Sequence, residues 1–158
     1  MKTAWWIVLL LLSVVVACVV GTWLVRRGLG PLDQADQSAP RIYAYRDWQK
    51  VGVQLHQGDR VHIRAEGSWL YTPGEVHGPQ GHDAYPAPDT YPMPGYNVPG
   101  GVLLGRIGED GPPFIVSRGR TVVADREGEL VFRINDDILS DNEGYVTLEL
   151  EVEPSDAD

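Results

Sequence analysis

The sequence predicts an all-β protein, a β-sandwich of about eight short antiparallel strands preceded by one N-terminal transmembrane helix. Apolar residues occupy every second position in segments 60–65, 129–134 and 145–152, which is the period of a half-buried strand. Turn signals rich in Gly, Asp and Pro separate the strand-like segments. The first 25 residues are instead almost continuously apolar.

The apolar N-terminal segment predicts a membrane anchor over residues 1–27. Residues 4–25 are 22 residues without a charge, and about 20 apolar residues suffice for a helix to cross a bilayer. Trp5, Trp6 and Trp23 lie near the ends of this segment, where aromatic rings prefer the membrane interface. The segment is too long for the apolar core of a cleaved signal peptide, so we expect the anchor to be retained.

Cys18 leaves a second interpretation open. Residues 15–18 read Val-Val-Ala-Cys and resemble a bacterial lipoprotein cleavage box, in which Cys18 would become the lipidated first residue. The chain stays apolar over 19–25, which favours the transmembrane anchor. Both interpretations place the rest of the chain at a membrane surface. Because Cys18 is the only cysteine, the remainder contains no disulfide, which fits either side of the membrane.

Beyond the anchor, we predict a linker (28–40), one domain (41–153) and an acidic tail (154–158). All 22 acidic residues follow residue 31, together with only 10 of the 13 basic residues. This part of the chain therefore carries a net charge of about −12. Such a charge excludes a nucleic-acid partner, since binding to phosphate backbones depends on Lys and Arg, and it favours divalent cations.

The eight predicted strands follow one another at short intervals. We expect Trp48 and Trp69 to lie in or beside the core, because both stand at strand ends next to apolar alternation. The strands are expected at residues 42–45, 51–55, 60–65, 101–107, 114–116, 120–124, 129–134 and 145–152.

Residues 73–101 interrupt this pattern. They contain seven of the 12 prolines, together with Tyr85, Tyr91 and Tyr96. Long ordered loops in compact domains often carry function, and tyrosines offer the flat, partly polar surfaces that carbohydrate sites use. The segment is therefore either an ordered lid at one end of the sandwich or a proline-rich surface loop without a ligand.

The loop 134–144 (Ile-Asn-Asp-Asp-Ile-Leu-Ser-Asp-Asn-Glu-Gly) concentrates carboxylate and amide oxygens between two predicted strands. Ca²⁺ takes six to eight oxygen ligands of these types. The spacing does not match the EF-hand loop. Without further information, a calcium loop and a solvated acidic hairpin both remain open, since the same residue types dominate turns.

Five segments, in this order, resemble the PA-IL-like (LecA-type) calcium-dependent galactose-binding bacterial lectins. Residues 57–67 are similar to the family's opening strand pair, and residues 68–73 are similar to its Tyr-x-Pro segment. Residues 78–81 match its Gly-Pro-Gln-Gly loop. Residues 100–108 resemble its central strand, and residues 135–144 resemble its calcium loop.

The resemblance implies a jelly-roll-like β-sandwich with one Ca²⁺ at its end and a sugar whose hydroxyls complete the metal coordination. Asp136 would be the main carboxylate ligand, with side-chain oxygens from Asp141 and Asn142. Backbone carbonyls would come from Tyr71 and from Ile138. The loop is shorter than in the galactose-binding prototype, so Asp137 is an alternative to Asp136.

The carbohydrate site implied by the resemblance surrounds this metal. The prototype's sugar-contacting histidine falls near Tyr85, without a matching glutamine, and His82 or Asp83 could take its place. The sugar type therefore stays open. The implied carbohydrate-binding residues are Tyr71, His82, Asp83, Tyr85, Asp136, Asp141 and Asn142.

Together these features predict a membrane-anchored, calcium-dependent, lectin-like module in the periplasm or outside the cell, where calcium is abundant. The alternative is a non-catalytic structural or interaction domain of the envelope, with or without calcium. The sequence has no nucleophile, zinc-protease or phosphate-loop motif, so we expect no enzymatic activity. The partners would be a glycan and the membrane, and a homo-oligomer is possible since the family is multimeric.

Overall fold

The computed structural model describes residues 39–71 and 74–155. The predicted anchor (1–27), nearly all of the predicted linker and residues 156–158 of the tail lie outside the described residues. Within the described ranges, no helix is long and apolar enough to cross a membrane.

The described chain is all-β, as predicted. Its only helical element is a short 3₁₀ helix at Leu139–Asp141, and every strand pair is antiparallel. The strands are β1 (Arg41–Tyr43), β2 (Gln49–Leu55), β3 (Arg60–Leu70), β4 (Val76–His77), β5 (His82–Ala87), β6 (Gly95–Gly100), β7 (Leu103–Ile107), β8 (Phe114–Ile115), β9 (Gly119–Val123), β10 (Gly128–Ile134) and β11 (Glu143–Glu153).

The strands form two larger sheets and a separate hairpin. The first sheet has the order β1-β11-β3-β4, with β9 also paired to β3, and the second has the order β2-β10-β7-β8. Strand β3 is long enough to pair with β9 near its start and with β4 at its end, while β11 covers its whole length on the other side. Strands β5 and β6 pair only with each other.

One hydrophobic core joins residues of both larger sheets, as in a β-sandwich. The predicted alternation places Val61, Ile63 and Ala65 of β3 inside. In β10 the intervening Val131 is buried as well. The other large buried residues of the core are Ile42, Leu55, Trp69, Leu103, Leu130, Phe132, Ile134 and Leu148.

The two tryptophans have different environments. Trp69 is fully buried, and its indole Nε1 donates a 3.1 Å hydrogen bond to the carbonyl of Gly101. Trp48 is half-buried and belongs neither to the core nor to the residues packed against it, contrary to the expectation, and the guanidinium of Arg106 lies 4.2 Å from its ring centre. A cation over an indole face is electrostatically favourable, so Trp48 supports a surface cluster.

Residues 39–71 and 74–155 form eleven strands where the sequence predicts about eight, because β4, β5 and β6 all lie within residues 73–101. Strand β4 has two residues, and the β5–β6 pairing shifts register twice, so neither shows a sustained alternation. Pro86 and Pro99 face each other across the β5–β6 hairpin. Proline is tolerated there because a two-stranded sheet has only edge strands.

Candidate functional site

The loop that follows β10 is held in place by buried polar contacts. Asn135 and Asp136 come directly after β10 and are buried. The backbone of Asn135 exchanges hydrogen bonds with Gly101 and Val102 at 2.8 and 2.9 Å. The guanidinium of Arg133 donates a 2.7 Å hydrogen bond to the carbonyl of Asp136. The loop therefore leaves the sheet in one fixed direction.

Three residues of this loop converge on a group of oxygen atoms, which we call the oxygen cluster: Asp136, Ile138 and Asn142. The side-chain amide of Asn142 donates to Asp136 Oδ2 at 2.7 Å and to the Ile138 carbonyl at 3.3 Å. The N–H of Ile138 donates to the other carboxylate oxygen of Asp136 at 3.2 Å. The Ala44 carbonyl lies 3.5 Å from the same Asn142 nitrogen.

The Asn142 amide shows why the cluster fits a hard cation. Its Oδ1 is buried and has no hydrogen-bond partner among the described residues, and leaving a buried acceptor unsatisfied costs about 1–3 kcal/mol. A half-turn of the amide would instead aim Oδ1 at the oxygens of Asp136 and Ile138. That arrangement would be repulsive unless a cation lay among them. Carboxylate, amide and backbone oxygens are the ligands that Ca²⁺ uses.

Tyr71 reaches this end of the sandwich from the end of β3. Its hydroxyl lies 2.8 Å from that of Tyr91, and its ring packs on Gly100 and Gly101, where an added Cβ would clash. Burial raises the pKa of Tyr91 strongly, aided by the hydrogen bond with Tyr71 and the negative charge of Asp136. The two tyrosines and Asp136 therefore share one environment, although 65 residues separate Tyr71 from Asp136 in the sequence.

Asp137 and Asp141 lie differently from Asp136. Asp137 is exposed and lines a separate cavity of about 410 Å³ with Trp48, Arg106 and Arg133. Asp141 ends the 3₁₀ helix with an exposed side chain, and no described hydrogen bond joins it to the oxygen cluster. Asp136 and Asp137 are the two alternatives for the main carboxylate ligand. The fold brings Asp136 to the oxygen cluster and turns Asp137 to a different surface.

Three of the seven residues expected to bind a sugar lie on β5, and they contact two different sets of neighbours. The imidazole of His82 lies 3.2 Å from the carboxylate of Glu75. Asp83 and Tyr85 instead line a groove of about 400 Å³ on the β5–β6 hairpin, together with Tyr96 and Asn97.

Two residues at this end were not among the predicted site residues. Asn135 is fully buried, and its side chain accepts from the Met93 N–H at 3.0 Å and donates to the Met93 carbonyl at 2.9 Å. It thereby ties residues 88–94 to the end of β10. Tyr91 contacts Tyr71, as described above. The Asn-Asp pair after an apolar strand could have indicated Asn135, whereas no sequence pattern distinguishes Tyr91 from the other tyrosines of its segment.

Comparison of the sequence with models of known protein families and with curated proteins finds no match. Among solved structures, the chain is similar to one described as "EclA N-terminal domain; PllA-like lectin". The TM-score is 0.55 and the identity 21%, and the match covers 73% of this chain and 95% of that one. The described residues therefore share their fold with that domain, and the predicted all-β antiparallel sandwich is confirmed.

Proposed function

We propose that this protein is a membrane-anchored, calcium-dependent carbohydrate-binding module. The observation that supports the proposal most directly is the oxygen cluster, in which Asn142 keeps a buried Oδ1 without a hydrogen-bond partner among the described residues. A solvated acidic hairpin has no need to bury Asp136 and Asn142 together, because burial of polar groups is costly unless they are paired.

In this proposal the Asp136 carboxylate, the Asn142 amide oxygen and the Ile138 carbonyl hold the ion. Asp141 and the Tyr71 carbonyl join them, as the lectin resemblance implies. A Ca²⁺ ion held there would offer its remaining coordination positions to the hydroxyl oxygens of a sugar. Arg133 fixes the loop in place, and Tyr71 and Tyr91 enclose one side of the site.

The hairpin groove is a suitable surface for the rest of a glycan. Tyr85 is half-exposed, and Tyr96 is 90% exposed. Aromatic rings with a polar end suit both the apolar face and the hydroxyls of a sugar. Asp83 and Asn97 line the same groove and supply acceptors and a donor for hydroxyl groups.

The proposed location of the domain is the periplasm or the cell exterior, with the apolar segment 4–25 as its anchor. Calcium sites of extracellular modules bind with dissociation constants of about 10⁻⁴–10⁻³ M. A calcium site with an affinity in this range would therefore function outside the cytoplasm. Dense packing of anchored copies on a membrane would raise the avidity for a multivalent glycan.

The test is a glycan array probed with the full chain in mild detergent, with calcium or with EDTA. We expect calcium-dependent retention on a subset of glycans, and loss of that retention in Asp136→Asn. Calcium binding without retention on any glycan would contradict the carbohydrate function and favour a non-catalytic structural or interaction domain. Retention that is unchanged in EDTA would contradict the calcium dependence.

A further inference from the structure

Two histidines and a glutamate meet beside the hairpin, away from the oxygen cluster's own loop. Glu75 precedes β4, His77 ends β4, and His82 begins β5. The Nε2 atoms of His77 and His82 each lie 3.2 Å from the same carboxylate oxygen of Glu75. All three ligand atoms lie within 4.8 Å of one another. We call this group the histidine cluster.

The fold, rather than a flexible surface, brings these side chains together. Strand β4 is paired to the end of β3, with His77 opposite Trp69. The Tyr71 N–H donates to the Glu75 carbonyl at 3.1 Å, and a turn closed by Gly81 N–H and the Gly78 carbonyl leads into β5. The imidazole rings of the two histidines are consequently 4.6 Å apart.

The histidines are positioned but accessible to a small ion. The side chains of His77 and His82 are 17% and 26% exposed, and that of Glu75 is 55% exposed. The ring of Tyr71 lies 6.0 Å from His77, and that of Tyr85 lies 6.1 Å from His82. Both imidazoles therefore have aromatic neighbours that limit their rotation, which lowers the entropy lost when a ligand is bound.

We propose that the histidine cluster binds a divalent transition metal of the zinc type. A tetrahedral Zn²⁺ with bonds of about 2.0–2.2 Å holds its ligand atoms about 3.3–3.6 Å apart, close to the 3.2 Å that separates each imidazole Nε2 from the Glu75 carboxylate oxygen. Two imidazoles and one carboxylate fill three positions and leave a fourth open. Imidazole favours zinc, copper and nickel, whereas calcium prefers oxygen, so the two clusters select different ions.

The alternative is a pair of histidines that only share a carboxylate. The Ala84 N–H lies 3.2 Å from Nδ1 of His82, which makes that nitrogen an acceptor. A metal on Nε2 would place the proton on Nδ1, so the long contact with Ala84 has to be given up. The charge of a bound Zn²⁺ beside the Glu75 carboxylate would compensate for the loss of this contact.

The experiment is a Zn²⁺ titration of the metal-free full chain in detergent by calorimetry, against a chelator of known affinity. We expect one Zn²⁺ per chain. His77→Ala and His82→Ala should each weaken binding by at least about tenfold, the lower end of the effect of losing even an outer-shell partner. His56→Ala is the matched control, since His56 is an exposed histidine outside the cluster.

Two further measurements separate this site from the calcium site. Co²⁺ should give the visible absorption of a tetrahedral site in the wild type and in Asp136→Asn, but not in His77→Ala. Circular dichroism and the melting temperature in chelator show that each variant is folded. Zn²⁺ binding that is equally strong in the wild type, His77→Ala and His82→Ala would overturn the proposal, as would the absence of stoichiometric binding in the wild type.

Discussion

The side-chain amide of Asn142 donates a 2.7 Å hydrogen bond to the carboxylate of Asp136, six residues earlier in the same loop. Both side chains are buried, although the residues between them are partly or fully exposed. The loop is thus folded around this contact, with its polar atoms turned inward.

Calcium should stabilise the protein through Asp136 and not through Asp137. A ligand at a hundredfold excess over its dissociation constant stabilises the folded state by about 2.7 kcal/mol, which raises the melting temperature by several degrees. Asp136→Asn should abolish this rise because it removes the buried charge. Asp137→Asn removes the same charge from the next, exposed residue and should leave the rise intact. A calcium-dependent melting temperature in Asp136→Asn would contradict the assignment.

Tyr91 should stabilise the sandwich through its hydroxyl contact with Tyr71. Tyr91→Phe should lower the free energy of unfolding by about 0.5–1.5 kcal/mol, the usual net contribution of one hydrogen bond. Urea denaturation measures the change. Tyr96→Phe removes a hydroxyl from a ring that is 90% exposed and should change the stability by less than about 0.5 kcal/mol. Equal effects of the two substitutions would argue against the Tyr71 contact.

Gly101 should be intolerant of a side chain because of the Tyr71 ring. Gly101 and Gly108 have nearly the same positive φ, 72° and 74°. An added Cβ at Gly101 would lie 2.6 Å from the ring of Tyr71, whereas at Gly108 it would meet nothing within 4 Å. Gly108→Ala should therefore cost about 1–2 kcal/mol from backbone strain alone.

Gly101→Ala should cost a further 1–3 kcal/mol or so, because overpacking adds to the same backbone strain. The difference between the two variants in a denaturant titration isolates the clash with Tyr71. If both variants lose the same stability, the ring has room to move and does not fix the site.

Asp59 should make stability depend on pH in the acid range. Its carboxylate accepts 2.8 Å hydrogen bonds from the N–H groups of His56 and Ser155, and these bonds lower its pKa. The contribution to stability is therefore fully present above the unfolded-state pKa of about 4 and is lost as the pH falls through the folded-state value.

Asp59→Asn should accordingly reduce stability at neutral pH and flatten the acid side of the stability profile. Asp110→Asn, at an exposed position in the loop after β7, controls for the loss of one negative charge. Thermal melts from neutral to acidic pH measure both. If the melting temperature of Asp59→Asn falls toward acidic pH as steeply as that of the wild type, the role of this carboxylate is contradicted.

The sequence predicts most of the sandwich because its strands bury one face. All eight predicted segments correspond to strands, and the alternation identifies the buried Val61, Ile63 and Ala65 of β3 and Val146 and Leu148 of β11, whereas Val152 at the end of the same face is exposed. Strands β4, β5 and β6 escape prediction since they are short or irregular and contain prolines. Their pairing follows from tertiary contacts with β3 and with Asn135, which a local pattern does not contain.

The candidate site is predictable only in part for the same reason. The density of oxygens over 135–142 marks the loop, but composition does not distinguish Asp136 from Asp137. The direction in which β10 ends, held by Arg133, determines which carboxylate is buried. The histidine cluster joins Glu75 and His77, just before and within β4, to His82 at the start of β5. Periodicity indicates neither of these strands, so the cluster becomes visible only in the fold.

The β5–β6 hairpin is a separate sheet that is tied to the sandwich at its base and at the loop that joins its two strands. Asn135 contacts Pro99 in β6 and Met93 in the joining loop, and the ring of Tyr71 lies against Gly100 at the base. The outer positions of the hairpin, including Tyr96, are consequently free to change in evolution without altering the loop around Asp136. A lineage of such proteins could therefore change the exposed surface of this hairpin while conserving the buried polar contacts around Asp136.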